Sequence, residues 1–279
     1  MMTNVLSMSV VASLLASAFL ISPAIAQEQM AVSQCQAVAT RLPAAQFTSL
    51  DGADSFLTLA QSSAEEVRIT FVAHSTYLIE TPGGVSIATD FNGYTGAAAT
   101  PTVVTMNKAH SGHYTASPDP AIEHVLRGWN PEGGAADHDI VVGDTYIRNV
   151  TTDIRAGYEG MEADGNSIFI FEVAGLCIGH LGHLHHALTD EHYGEIGRLD
   201  IVMVPTDGGL TMGAEEMSQV VRRLRSSLVL PMHRMGPSLS AFIELMGEDW
   251  ARDYVAETGI TVSLRSLPER PTVMILQGM

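Results

Sequence analysis

The chain is punctuated by short apolar runs that each stop at a histidine, an order that restricts it to folds gathering strand ends at one rim. "ITFVAHSTYLIE" carries His74, "VVTMNKAHSGHY" carries His110 and His113, "LCIGHLGHLHH" carries His180 and His183, and "LVLPMH" closes on His233. Apolar runs of about four to eight residues bounded by turn signals read as strands. Imidazoles delivered by strand ends to a common edge make a transition-metal site. The neutral ring is the commonest protein ligand for zinc and also suits copper, iron and nickel.

The first half reads as hairpins. "EVRITFVAH" and "STYLIETPGGVSIATD" contain strands split by the turn Pro82-Gly83-Gly84. "TPTVVTMN" is a further strand ending before His110. Residues 115–138, with Pro118, Pro120, Pro131, Gly133 and Gly134, read as loop with one short helix over Ile122–Leu126. "HDIVVGDTYIRNVTTDIR" predicts two strands around Gly143-Asp144, and "NSIFIFEVAGLCIGHLG" two more around Ala174-Gly175, with residues 155–165 as a loop. The rhythm then changes. "LTDEHYGEIGR" reads as a short helix capped by Thr189, and "LDIVMVPTDGG" as a buried strand running into a glycine loop. "AEEMSQVVRRLR" places Met217, Val220, Val221 and Leu224 at helical spacing. "SLVLPMH" is a strand, and "SLSAFIELMGEDWARDYVAETG" predicts one long helix. Hairpins followed by β-α alternation predict a layered α/β sandwich, with sheets inside and helices outside.

A length of 279 residues suits one large domain. The net charge of −17 has the same sign as nucleic acids and anionic membrane surfaces, which argues against both as partners. A small-molecule substrate fits, even an anionic one, because the charge of a bound ion opposes the global field locally. Residues 1–26 form an apolar run ending in "SPAIA", with Ala24 and Ala26 at the small positions of an A-x-A cleavage site. This predicts a secretory signal peptide cut before Gln27, a periplasmic or secreted protein, and no stable membrane association after cleavage. An uncleaved anchor is the alternative, the run being near the lower limit for a bilayer span. Residues 27–65 read as an N-terminal preamble and 66–279 as the folded domain. Cys35 and Cys177 have two readings: an oxidising compartment permits a disulfide, and a thiol inside a buried strand behaves as a small hydrophobe.

His110 and His113 form an H-x-x-H loop pair. His180, His183, His185 and His186 are too close in sequence to serve one ion together, so one or two of them are expected to turn inward. His233 gains weight from the company of the other clusters. His74 is either an addition to the site or a core ring bonded to backbone. His124, His138 and His192 are expected to face solvent.

The order of segments from Val67 to Gly236 resembles the metallo-β-lactamase superfamily, and most closely its lactonase-like branch of metal-dependent hydrolases. The resemblance implies an α/β fold, a four-layer αββα sandwich with the metal site along one edge of the packed sheets. The superfamily motif H-x-H-x-D-H, aligned on its last histidine, gives Lys108, His110, Gly112 and His113. Lysine therefore replaces the first histidine and glycine the aspartate. The bridging aspartate of the family's "HLGD" corresponds to His183, and its final histidine to His233. The strand histidine in between would fall in "NVTTDIR", which offers Thr152 and Asp153. The implied ligand set is His110, His113, His183 and His233 around one divalent ion rather than a pair, with zinc the first expectation. Asp90 corresponds to a family aspartate that orients a ligand, and Asp207 in "PTDGG" is a second carboxylate near the rim. Lys108 either blocks one ion position, faces solvent, or meets an anionic substrate or developing oxyanion. Asp90, Asp207 and Lys108 are thus the catalytic candidates. The implied activity is hydrolysis of an ester, lactone or related bond by metal-activated water. The family's aspartate normally orients that water, so its loss supports an alternative: a catalytically degenerate member that binds metal or ligand.

Overall fold

The computed structural model describes residues 33–36, 65–156, 160–235 and 238–279. The expected signal segment and most of the preamble lie outside the described residues. The first sheet starts with β1 (Val67–Ala73), β2 (Thr76–Glu80) and β3 (Ser86–Ala88), paired antiparallel in sequence. The β2–β3 turn is the Pro82-Gly83-Gly84 step; Gly84 sits at φ 86°, a conformation that glycine adopts without steric cost. Next, β4 (Val103–Met106) and β5 (His124–Arg127) add in parallel. β5 corrects the short helix expected over Ile122–Leu126: pairing with β4 at the sheet edge overrides weak local helical spacing.

The second sheet begins as an antiparallel meander of β6 (Asp139–Val142), β7 (Thr145–Ala156), β8 (Gly160–Val173) and β9 (Leu176–His180). Part of the stretch expected as a loop at 155–165 is instead the far end of the β7–β8 hairpin, where Arg155 faces Met161. The sheet continues in parallel through β10 (Ile201–Pro205), β11 (Leu228–Met232), β14 (Thr272–Ile275) and β12 (Ala251–Tyr254). β13 (Gly259–Val262) returns to the first sheet and pairs with β1.

Helices α1 (Asp190–Ile196), α2 (Ala214–Leu224) and α3 (Ser238–Met246) follow β9, β10 and β11. Thr189 caps α1 as expected, accepting the His192 amide, and α2 buries Met217, Val220 and Val221. The long helix expected over 238–259 is corrected to α3 followed by β12: Gly247, at φ 76°, terminates the helix, and the chain resumes as an edge strand.

Ile69, Tyr77 and Ile79 of the first sheet share one buried cluster with Phe169, Phe171, Val202 and Leu230 of the second. Burying such a side chain contributes about 1.5–3 kcal/mol, so the sheets are held face to face. Tyr77 adds a polar tie by donating its hydroxyl hydrogen to the Pro231 carbonyl at 2.6 Å. The cysteines form a disulfide that fastens residues 33–36 to the start of β9. The Ser33 hydroxyl and the Gln34 amide donate to Glu172, which also pairs with buried Arg148 at 3.0 Å.

Candidate metal centre

Each group of the site follows the carboxyl end of a strand. In the first sheet β1 leads to His74, β3 to Asp90, and β4 to His110 and His113; in the second, β9 leads to His183, β10 to Asp207 and β11 to His233. The parallel strands account for much of this convergence, because their carboxyl ends share one edge. His74, Asp90 and His233 have φ values of 51°, 41° and 52°, in the left-handed region that non-glycine residues rarely occupy. Such turns cost energy and cluster where function fixes the backbone. They also bring the sheets together, since the His233 amide donates to the His74 carbonyl at 2.8 Å.

One ligand nitrogen from each of His74, His110, His113 and His233 lies within 4.8 Å of the other three. His110 Nε2 and His233 Nε2 are 3.2 Å apart. A tetrahedral shell with metal–nitrogen bonds of about 2.0–2.1 Å sets its nitrogens about 3.4 Å from one another, so modest ring rotations suffice. Two of the rings are fixed in a metal-ready tautomer. His113 Nδ1–H donates to Asp90 Oδ2 at 2.5 Å, and His233 Nδ1–H donates to Asp207 Oδ2 at 2.8 Å. Carboxylates only accept, so the Nε2 atoms of these two rings carry lone pairs. The buried Nε2 atoms of His74 and His113 have no hydrogen-bond partner among the described residues. Buried polar atoms are ordinarily paired, and a cation would satisfy these two. The donor set therefore fits a divalent ion.

Asp207 is held in turn by the amides of Gly209, Leu210 and Thr211 and by the Thr211 hydroxyl. Burial pushes its carboxyl up, but the hydrogen bonds from His233, Thr211 and Gly209 outweigh burial and hold it well below the usual range. Asp90 is fully buried, and burial raises it against the opposing pull of His180 and Asn107. Burial, then the neighbouring His233 and His110 rings, bring His74 down to about 4. Burial and adjacent imidazoles also hold His113 and His183 far below their ordinary value. These three rings, His74, His113 and His183, are thus neutral near pH 7, the state that ligates a metal.

Residues 68–233 match the family described as the beta-lactamase superfamily domain. The chain belongs to the beta-lactamase superfamily. This member is 33% identical over 113 residues to a UPF0173 metal-dependent hydrolase of Pyrococcus abyssi; the match covers 38% of the chain and 50% of the relative, so the chain spans about half the length of the curated relative it matches. A candidate Zn-dependent hydrolase of the metallo-beta-lactamase superfamily from Thermotoga maritima shares the fold with a TM-score of 0.54 at 24% identity, over 76% of this chain and all of that one. A candidate metal-dependent hydrolase from Parabacteroides distasonis gives 0.52 at 14% identity, over 65% and 89%. The expected α/β sandwich of metallo-β-lactamase type is the observed fold.

This superfamily member departs from the motif in a way the geometry explains. A Cβ at Gly112 would lie 2.8 Å from His110 Cε1 and 2.9 Å from His74 Cδ2. His74 and His110 fill the space that a side chain at 112 would need. His74 thus completes the converging four-ring set, and His183 stands beside it, its ring centroid 4.6 Å from that of His113 and 4.8 Å from that of His233. His180 is buried but fully engaged, donating Nε2–H to the Ser75 carbonyl and accepting the Gly182 amide on Nδ1. Lys108 lies outside the ring cluster and pairs with Glu162 on β8. Thr152 bonds Asn166, and Asp153 accepts the Asp164 amide. His138, expected to face solvent, is half-buried; it donates to the Arg127 carbonyl and stacks on Phe169.

Two supporting residues escaped the sequence reading. Asn107 donates to Asp90 Oδ1 at 2.8 Å and accepts the Ser167 amide at 2.7 Å, linking the sheets behind the site. Asn166 Oδ1 accepts the His183 amide at 2.7 Å. Nothing local marks either asparagine, because its partners are distant in sequence.

Proposed function

We propose that the chain is a metal-dependent hydrolase that uses one divalent ion, zinc first, to cleave an ester, lactone or related bond. The observation that carries this reading is the pair of carboxylate-held rings, Asp90–His113 and Asp207–His233, which turn bare Nε2 atoms into a cluster shared with His74 and His110. When bound, such an ion lowers the pKa of water toward neutrality and polarises a carbonyl oxygen. Asp90 and Asp207 act as positioning residues: each fixes the tautomer and direction of the ring it holds. His110, the exposed member of the four, leaves the cluster open to solvent on one side. The relatedness to a metal-dependent hydrolase over 113 residues supports the same class of reaction.

Elemental analysis of the purified protein should find close to one zinc per chain. A panel of chromogenic esters, lactones, phosphodiesters and β-lactams, supplied with zinc, manganese, iron or copper, should show turnover on an acyl substrate. Metal-free protein after incubation with each ion would reject the reading. Tight metal binding without turnover would favour a binding protein, the outcome that Gly112 in place of the motif aspartate supports. We further propose that residues 1–26 direct export to the periplasm; mature protein beginning at Gln27 is the expected N-terminal sequencing result.

A further inference from the structure

The pair His183 and His185 carries a further assignment, which rests on the metal-centre reading above. A backbone N–H only donates, so the Arg155 amide, 3.1 Å from His185 Nδ1, marks that nitrogen as bare. A neutral His185 ring then carries its proton on Nε2. This Nε2–H lies 2.9 Å from the Leu210 carbonyl oxygen and 3.0 Å from His183 Nδ1. A proton on His183 Nδ1 would set two N–H groups head to head. His183 Nδ1 is therefore an acceptor, and the single proton of its neutral ring sits on Nε2. That Nε2 atom is buried and meets no acceptor among the described residues. Its ring nevertheless stands between 4.6 and 5.1 Å, centroid to centroid, from the rings of His113, His233 and His110.

The contrast with His113 and His233 is chemical. Those rings give their protons to carboxylates and present lone pairs to the cluster. His110, whose Nδ1 accepts the Gly112 amide at 3.1 Å in an exposed turn, aims its own Nε2–H at His233 Nε2 and gives up that one exposed Gly112 bond to ligate. His183 presents a hydrogen, which repels a cation and attracts an anion.

We propose that His183 is not a metal ligand but a hydrogen-bond donor to the substrate oxygen on which negative charge develops. The position that holds an anionic, bridging aspartate in the resembling family here holds a neutral donor, and the polarity of that wall of the site is reversed. The matching substrate is an acyl compound, whose carbonyl oxygen gains charge during attack and whose product is a carboxylate. A donor already fixed toward the oxygen that gains charge stabilises it without reorganising during the reaction.

Long-range proton–nitrogen correlation spectra of the metal-free protein, labelled with 15N-histidine, locate the proton directly. His183 is expected in the Nε2–H form, shifting toward a mixture in His185→Phe; an Nδ1–H form in the parent overturns the assignment. Zinc titration gives a second readout: His183→Ala keeps zinc affinity within about threefold, whereas His113→Ala loses at least about tenfold. Equal losses overturn the assignment. Acetate serves as a carboxylate probe on the zinc-loaded protein. It should bind about tenfold more weakly to His183→Ala, and His183→Gln, which keeps an N–H donor, should recover most of the loss. Unchanged acetate binding in His183→Ala, with zinc retained, rejects the donor role alone. A parent protein that takes up no zinc rejects the proposed function, and the tautomer spectrum then decides the fate of His183.

Discussion

Asp207 shows how much one side chain can set. Its Oδ1 collects three backbone amides and its Oδ2 holds both the Thr211 hydroxyl and His233 Nδ1–H. Asp207→Asn keeps the shape but removes the charge and an acceptor, freeing the His233 ring to change tautomer. Zinc affinity should drop by about 10–100-fold, measured by competition with a chromophoric chelator; an unchanged affinity would show that the carboxylate does not orient the ring. Acidity provides a second test at this scale. His74 and His185 are held at about 4, both chiefly by burial, against about 6.5 in an unfolded chain. Between those values the unfolded state binds protons that the folded state refuses, so stability rises with pH across the window. Their contribution is whole above about 6.5 and is lost as pH falls toward 4. The urea midpoint of metal-free protein should therefore decline steadily from about pH 7 to about pH 4.5, and a flat profile would contradict neutral buried rings.

At the level of elements, the turn after β9 aims His183. Gly182 has φ 61°, and a Cβ there would collide with Asn166 Oδ1 and Asn107 Nδ2 and approach the Ser167 carbonyl at 3.0 Å. Gly182→Ala adds left-handed strain to overpacking and should cost at least about 2 kcal/mol, seen as a lower denaturation midpoint together with weaker acetate binding to the zinc-loaded protein. Loss of stability with acetate binding unchanged would mean that the turn does not position His183. The strands that end at histidines were legible in the sequence because their apolar runs are continuous, and so were α2 and the Thr189 cap, whose signals are local. β12 was not: its residues are mostly exposed and it lies at a sheet edge, so it lacks the alternation of a half-buried strand. Residues 124–127 hide β5 for a related reason, since only pairing with β4 defines them. In the site, His110, His113, His233 and Asp90 could be named from motif position, and Asp207 from its place in the glycine loop after a buried strand. His74 could be raised but not placed, because its room is cleared by a glycine nearly forty residues away. The tautomer of His183 depends on Arg155 and Leu210, which no spacing rule connects.

At the scale of the whole molecule, the disulfide closes a loop with a sequence separation of 142 between Cys35 and Cys177. Loops of this length restrict the unfolded chain considerably, and typical bridges contribute about 2–4 kcal/mol. Reduction should lower the thermal midpoint by several degrees while the ring cluster, at the other end of β9, still takes up zinc. A midpoint indifferent to reductant would show that the bridge adds nothing to stability. The rings themselves come from both halves of the sandwich: His74, His110 and His113 from one sheet and His233 from the other. An ion gripped by all four would act as a rivet through two leaves, so that prising the leaves apart and releasing the ion become a single event. At a free concentration one hundred times its dissociation constant, such a rivet would add about 2.7 kcal/mol to the fold, and a chelator would slacken the whole body rather than one edge of it.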